Sequence, residues 1–251
     1  MIKTKATRRS SKKKQAGLLI TFEGTEGAGK STLIRNLKAQ IETASHPFFR
    51  GREVVLTREP GGSPVAEAIR SVILDHAMNP WTELFLYEAA RAEHLATTLL
   101  PALQRGAIVL CDRFTDSTLA YQSHARGLPW DTVATLNDIA TQGLRPFLTF
   151  HLDLDPALGL ARAREQTRFE AEGVRFQTRV RHGFLKSKRL DPKRWIRLNA
   201  EKLDAETLSR EAFESLVQHW DAKKESRNPK PVRPSGAKRL TRQITRRKTK
   251  Q

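Results

Sequence analysis

Five short runs of Ile, Val, Leu and Phe recur at helix-length intervals: Leu18–Phe22, Val54–Thr57, Ala107–Cys111, Phe147–Leu152 and Trp195–Leu198. Apolar runs so spaced predict parallel strands covered on both faces. The segments between them carry helix signals. Ser63-Pro64 reads as an N-cap followed by proline at the first helical position, leading into a helix over Val65–His76. Asp131 is placed to cap a helix ending near Gly143, and Asp155-Pro156 opens another that runs into an arginine-rich stretch. Strand and helix alternate throughout, without internal repeats. The pattern predicts an α/β domain of three layers with right-handed crossovers.

The chain has 251 residues, and 38% hydrophobic content supports a buried core. Its formal charge of +18 points first to a nucleic-acid partner. Placed along the chain, the charge changes meaning. Residues 1–15 hold seven cations and no acid, and residues 221–251 hold twelve cations and two acids, which leaves +1 on residues 16–220. Within that near-neutral body, residues 162–197 carry +8 and the remainder is acidic. The expected organisation is a basic N-terminal extension, residues 1–15, one domain over 16–220, and a basic tail, 221–251. Both ends are too poor in apolar residues to offset the entropy of ordering and are expected to be disordered. Arg8-Arg9 with Lys12-Lys13-Lys14 also resembles a nuclear localisation signal, a pattern that short basic clusters match by chance.

One cysteine, Cys111, excludes an internal disulfide framework and reads as an inert buried thiol in a reducing compartment. No apolar run reaches the roughly 18 residues of a membrane span, and Gly17–Phe22 is too short for the core of a signal peptide. A soluble, cytoplasmic protein without a membrane partner is expected.

The strongest chemical signal is Gly24-Thr25-Glu26-Gly27-Ala28-Gly29-Lys30-Ser31, followed by Thr32. It lies between the first strand and a helical pattern through Leu33, Ile34, Leu37 and Ile41, the context a phosphate-binding loop requires. Glycines let the backbone turn tightly and aim N–H groups at phosphate oxygens, and the helix N-terminus adds partial positive charge. Lys30 would then reach the β- and γ-phosphates of ATP, with the Ser31 hydroxyl on Mg²⁺. A second strand ends in Asp112-Arg113, where a magnesium-organising carboxylate and a phosphate-gripping guanidinium would sit. Pairing of those two with surface neighbours is the plainer alternative.

Four blocks in order then carry a family resemblance: the loop Gly24–Ser31; Thr57-Arg58-Glu59-Pro60-Gly61-Gly62; Tyr87-Glu88-Ala89-Ala90-Arg91-Ala92-Glu93-His94; and Asp112-Arg113-Phe114-Thr115-Asp116-Ser117-Thr118-Leu119-Ala120-Tyr121-Gln122. Residues 16–220 resemble the bacterial thymidylate kinases. The resemblance implies a P-loop nucleoside-monophosphate kinase fold, with a five-stranded parallel sheet and a mobile arginine-bearing lid near residues 160–175. It implies a homodimer that phosphorylates dTMP with Mg·ATP in dTTP synthesis. It makes Tyr87, where the family usually has Phe, the ring that stacks on thymine. Arg91 and Gln122 would hydrogen-bond the base, and Ser117 and Pro60 would line the same pocket. Tyr121 would crowd the sugar 2′ position and Glu26 would meet the 3′-hydroxyl. Arg58 and Arg113 belong on the acceptor phosphate. Without the other blocks, Tyr87 and Arg91 read as an ordinary core aromatic and a surface cation.

The loop carries no cation between Glu26 and Ala28, so the resemblance is to the layout with catalytic arginines in the lid: Arg164 and Arg168, with Arg162 next. A solvated charged helix face is the alternative. Three departures stand out: Thr167 in place of an Asp before Arg168, Ser123-His124-Ala125-Arg126 where glycines are usual, and Asn199 for an Asp after the last strand. Two rival functions remain at this level. One is a kinase of altered pyrimidine specificity. The other is a kinase-fold protein whose basic tails make weak, non-specific contact with nucleic acid.

Overall fold

A computed structural model describes residues 16–163 and 168–227. Strand β1 (Leu18–Glu23) is buried along its whole length, as is β4 (Leu148–Asp153). With β2 (Val54–Arg58), β3 (Ile108–Asp112) and β5 (Trp195–Asn199) they form one sheet in the order β2-β3-β1-β4-β5. Every neighbouring pair is parallel, as the five apolar runs predict. Each strand runs one residue beyond its apolar run and ends on a polar side chain: Glu23, Arg58, Asp112, Asp153 or Asn199. Backbone pairing continues to the carboxyl rim, where Arg58 and Asp112 border a cavity and Asp153 pairs with Arg181 and Arg197. Neighbours β1 and β4 send their connections to opposite sides of the sheet, toward β2 and β5, which opens a crevice at that rim.

The helices are α1 (Lys30–Thr43), α2 (Pro64–Asp75), α3 (Pro80–His94), α4 (Leu100–Arg105), α5 (Thr115–Thr118), α6 (Trp130–Thr141), α7 (Pro156–Arg162), α8 (Arg168–Ala171), α9 (Gly173–Leu190) and α10 (Ala205–Arg227). Wider π-helical turns at Leu95–Leu99 and Leu119–Ala125 follow α3 and α5. Helix α1 buries Leu33, Ile34, Leu37 and Ile41, the face its spacing predicts. Ser63 caps α2 by accepting from the Ala66 N–H, and Asp155 caps α7 by accepting from Ala157 and Leu158. Asp131 does not cap α6. That helix starts one residue earlier, at Trp130 after Pro129, and Asp131 sits in its first turn, where a negative charge suits the helix dipole. Cys111 is a buried free thiol, as expected; burial pushes its pKa well up, and its Sγ donates to the Arg113 carbonyl.

The described residues up to Ser215 make one compact unit, and those from Leu216, the latter half of α10, fall in a second. The expected N-terminal extension and residues 228–251 of the expected tail lie outside the described residues. The first residues of that tail, 221–227, continue α10, because Ala, Lys and Glu are good helix formers and proline first appears at Pro229. Among the described residues, no helix is long and apolar enough to cross a membrane.

Candidate active site

The loop between β1 and α1 folds with Gly24, Gly27 and Gly29 at positive φ. Gly27 has no alternative: at φ 68° a Cβ would lie 2.0 Å from the Gly159 carbonyl oxygen of α7. Gly27→Ala is expected to cost at least about 1–2 kcal/mol, the left-handed penalty alone, and to splay the loop from α7. A lowered urea midpoint together with lost ATP binding checks it. Gly29 stands at the N-cap of α1 and offers no side-chain cap, so the first N–H groups of the helix remain open to an anion. Buried Lys30 donates from Nζ to the carbonyls of Gly24 (3.2 Å) and Thr25 (3.0 Å), which holds the ammonium inside the loop.

Parallel register places Phe22 beside Asp112, so the loop after β1 meets the end of β3. There the Ser31 hydroxyl donates to Asp112 Oδ2 at 3.1 Å. Asp112 Oδ1 is buried with no hydrogen-bond partner among the described residues, an acceptor left for a cation or its water. Among the described residues there is no cluster of three or more His, Cys, Asp or Glu side chains that could hold a metal. Arg113 adopts φ 68°, rare for a residue with a side chain, while its N–H donates to the Phe22 carbonyl. This turn sends its guanidinium back across the loop, to the Gly24 carbonyl (3.0 Å), Ser117 Oγ (3.1 Å) and Glu26 Oε1 (2.6 Å). The Tyr121 hydroxyl donates to the same Glu26 oxygen at 2.9 Å. Burial would raise the Glu26 pKa, but Arg113, Lys30 and Tyr121 outweigh it and hold it at about 2. Its contribution to stability is therefore present above 4.5 and is lost only as pH falls toward about 2.

Behind Arg113 stands Glu23, which accepts from the Phe114 N–H (2.9 Å) and from Ser117 Oγ (2.6 Å). Burial, and then the nearby Asp116, push its pKa from 4.5 up to about 8. The folded state thus holds this proton more tightly than the unfolded chain. Stability from Glu23 is full below 4.5 and is lost as pH rises through about 8. Glu23→Gln is expected to flatten the fall in urea midpoint between pH 5 and pH 8; an unchanged slope would contradict the assignment.

From the loop a cavity of about 450 Å³ runs toward α3. It is bordered by Glu26–Thr32, by Arg58, Pro60, Tyr87 and Arg91, and by Asp112, Arg113, Ser117, Tyr121 and Gln122. Residues predicted from all four sequence blocks thus meet around one space. Of the predicted loop residues, Gly24 and Thr25 do not border it; the Gly24 carbonyl is instead an acceptor for Lys30 and Arg113. Arg91 is no surface cation. Only 2% exposed, it donates from Nε to Glu59 (2.7 Å), from Nη1 to Glu88 and Asn137, and from Nη2 to Thr118 (2.9 Å). Those bonds use four of its five N–H groups and leave one on Nη2. Tyr87 packs half-buried against the core cluster that contains Tyr121, Phe169 and Phe176, and burial raises its pKa further above the ordinary tyrosine range.

The family model described as Thymidylate kinase matches residues 22–211. The thymidylate kinase of Pseudomonas fluorescens (strain Pf0-1) is 53% identical over 190 residues, which cover 73% of this chain and 88% of that one. That of Geotalea uraniireducens (strain Rf4) is 46% identical over 203 residues, 76% and 92% of the two chains. A crystal structure of thymidylate kinase from Ehrlichia chaffeensis superposes with a TM-score of 0.64 at 29% identity, covering 80% of this chain and 99% of that chain. The chain belongs to the thymidylate kinase family.

Several residues of this kinase's cavity carried no signal in sequence reading. Arg70 borders it and donates to the Pro60 carbonyl at 2.9 Å. Burial, and then the charge of Arg58, lower its pKa, with Arg113 adding to the effect. The cations of Arg58 and Arg113 thus both act on Arg70, and positive charge gathered at one end of the cavity suits an anion. Arg58, more than half exposed, is held by Glu67 at 2.9 Å. Glu59, inside the Thr57–Gly62 block, is a scaffold: it binds Arg91 and, at 2.9 Å, His94 Nδ1, while His94 Nε2 meets the Thr57 hydroxyl at 2.6 Å.

The predicted lid divides. Arg164 and Thr167 lie outside the described residues. Arg162 donates to the Ala200 carbonyl at 3.3 Å, beside Asn199, whose Oδ1 accepts from the N–H groups of Glu201 and Lys202. Arg168 does not border the cavity. It donates to the Ile73 carbonyl at 2.6 Å and pairs with Glu83 at 2.5 Å, and the next residues, Phe169 and Glu170, line the cavity instead. Of the Ser123–Arg126 departure, Ser123–Ala125 end the second π-helical turn and Arg126 caps it; Ser123 Oγ donates to the Leu128 carbonyl and Arg126 binds Glu83 and Glu172.

Proposed function

We propose that this chain transfers the γ-phosphoryl group of Mg·ATP to the 5′-phosphate of dTMP, giving dTDP and ADP. An oxygen of the acceptor phosphate forms the new bond to the γ-phosphorus as the bond to the bridging β-oxygen breaks. No strong general base is required, since a phosphate monoester with a second pKa of about 6 is already largely dianionic. The work left to the protein is positioning and charge neutralisation. Lys30 and the α1 N-terminus would hold the β- and γ-phosphates, and Arg113, with Arg58 and Arg70, the acceptor phosphate. Mg²⁺ fits the donor set of the Ser31 hydroxyl and the partnerless Asp112 Oδ1, and when bound supplies charge neutralisation on the phosphates. Arg164 and Arg168 remain the proposed lid cations, Arg168 on release from Glu83.

Thymine has a donor at N3 and an acceptor at O4. The spare Arg91 Nη2 N–H suits O4 and the Gln122 amide oxygen suits N3–H, beneath a stacking face on Tyr87. Glu26, which Arg113 and Tyr121 hold, would meet the 3′-hydroxyl, and Tyr121 would close the side of the sugar where a 2′-hydroxyl would go. One observation carries this reading: the P-loop and the base-reading residues border a single cavity. ADP release measured across nucleoside monophosphates tests it, with and without EDTA. Strong preference for dTMP over dCMP and AMP, lost with EDTA, is the expected result; equal turnover of the three would sink the substrate assignment.

The chain is also proposed to act as a homodimer in the cytoplasm. Val65 and Val72 on α2, Trp81 and Phe85 on α3, and Ile139 on α6 leave large apolar side chains exposed on helices that pack side by side. A monomer in sedimentation velocity at micromolar concentration would contradict the dimer. The basic ends are proposed to make weak, salt-sensitive contact with nucleic acid; deleting residues 1–15 and 228–251 should abolish DNA retention and leave turnover intact.

A further inference from the structure

We infer that Glu83 is the residue that sets pyrimidine specificity, by fixing which end of the Gln122 amide meets the base; this rests on the dTMP reading above. Glu83 is fully buried on α3, one turn before Tyr87 and two before Arg91, so the three share one helix face. Its Oε1 accepts from Gln122 Nε2 at 2.8 Å and from Arg126 Nε at 2.7 Å, and its Oε2 faces Arg168 at 2.5 Å.

A glutamine amide is nearly symmetric in shape, and its partner decides whether oxygen or nitrogen points elsewhere. A carboxylate only accepts. Glu83 therefore claims the Gln122 N–H₂ end and fixes which way the amide turns. No hydrogen bond among the described residues engages Gln122 Oε1, and Gln122 borders the cavity. An acceptor there matches the N3–H of thymine or uracil. Against cytosine, whose N3 is itself an acceptor, it sets lone pair against lone pair in a desolvated space. Arg126, on the same Oε1, holds the carboxylate in place whether or not Arg168 stays, which gives the Ser123–Arg126 departure from the family pattern a physical use. Glu83 touches no reacting atom; it is a positioning residue.

The test compares Kd of dTMP and dCMP by calorimetry, with kcat and KM for each, in the full chain and two variants. Glu83→Gln lets the position-83 side chain donate as well as accept, so the Gln122 amide can invert. The expected result is a dTMP-over-dCMP preference reduced about tenfold or more, read mainly in Kd and KM rather than in kcat. The exchange Glu83→Gln with Gln122→Glu keeps one carboxylate and one amide at the site, again presents an acceptor to the base, and is expected to restore the preference. Equal weakening of both nucleotides by Glu83→Gln, with their ratio unchanged, would overturn the inference, as would an exchange variant that folds and fails to restore it. Should Glu83→Gln not fold, the exchange variant decides alone. Absence of dTMP turnover in the unmodified chain would instead sink the functional reading, while the Kd ratios would still decide the role of Glu83.

Discussion

Lys30→Ala is expected to lower kcat by about 10³-fold, the loss that follows when a charged donor aimed at developing negative charge is removed. The lysine is the one cation the loop itself carries, and it is preorganised: carbonyls of Gly24 and Thr25 hold its ammonium, so little reorganisation is needed when phosphate replaces them. Burial, and then the charge of Arg113, lower its pKa, which favours exchange of those carbonyls for phosphate oxygens. The acceptor half of the cavity is untouched by this change. KM for dTMP should therefore move by less than about threefold, a shift of under 1 kcal/mol. Steady-state kinetics on a variant with an unchanged thermal melt checks both parts, and a kcat within tenfold of the parent would contradict the role.

Arg91→Met is expected to have the largest effect on stability, about 3–5 kcal/mol, because it removes one partner of a buried ionic network and strands the rest. Its guanidinium, 2% exposed, satisfies Glu59 and Glu88 at once, with Asn137 and Thr118 on the remaining sides. Its own pKa is raised by Glu88 and Glu59 against the opposing effect of burial. The two carboxylates respond differently. Burial would raise both, but for Glu59 the attraction of Arg91 and His94 prevails and lowers the pKa, whereas for Glu88 burial prevails. Arg91→Lys, a point charge where a planar fork is needed, should recover only part of the loss. Urea unfolding of both variants measures it; a cost below about 1 kcal/mol for Arg91→Met would show that the network relaxes without its centre.

The sheet was legible because parallel strands buried on both faces leave nearly unbroken apolar runs, and β1 and β3 are the clearest cases. The phosphate loop was legible because its glycines, Lys30 and Ser31 are each demanded by local backbone chemistry. The acids were not. Glu23, Glu59, Glu83 and Glu88 look in sequence like any surface charge, yet all four are buried, and their meaning lies in partners distant along the chain: Ser117 for Glu23, Arg91 for Glu59, Gln122 for Glu83. Glu88 is local, three residues from Arg91 on α3, but only the burial of that face gives the pair weight. Arg70 was missed for a similar reason. Six residues into α2 it has no local motif, and only the packing of α2 against the Glu59–Gly62 turn brings it to the cavity. The lid arginines show the converse limit. Their charge is plain in sequence, but whether Arg168 meets phosphate or Glu83 depends on the position of a segment that no local pattern encodes.

Transfer of label from γ-³²P-ATP to dTMP, with the product identified chromatographically, tests the central claim most directly. The expected result is labelled dTDP formed in step with ADP, dependent on Mg²⁺, with little label reaching dCMP. Release of labelled inorganic phosphate without dTDP, or label on dCMP as fast as on dTMP, would contradict it.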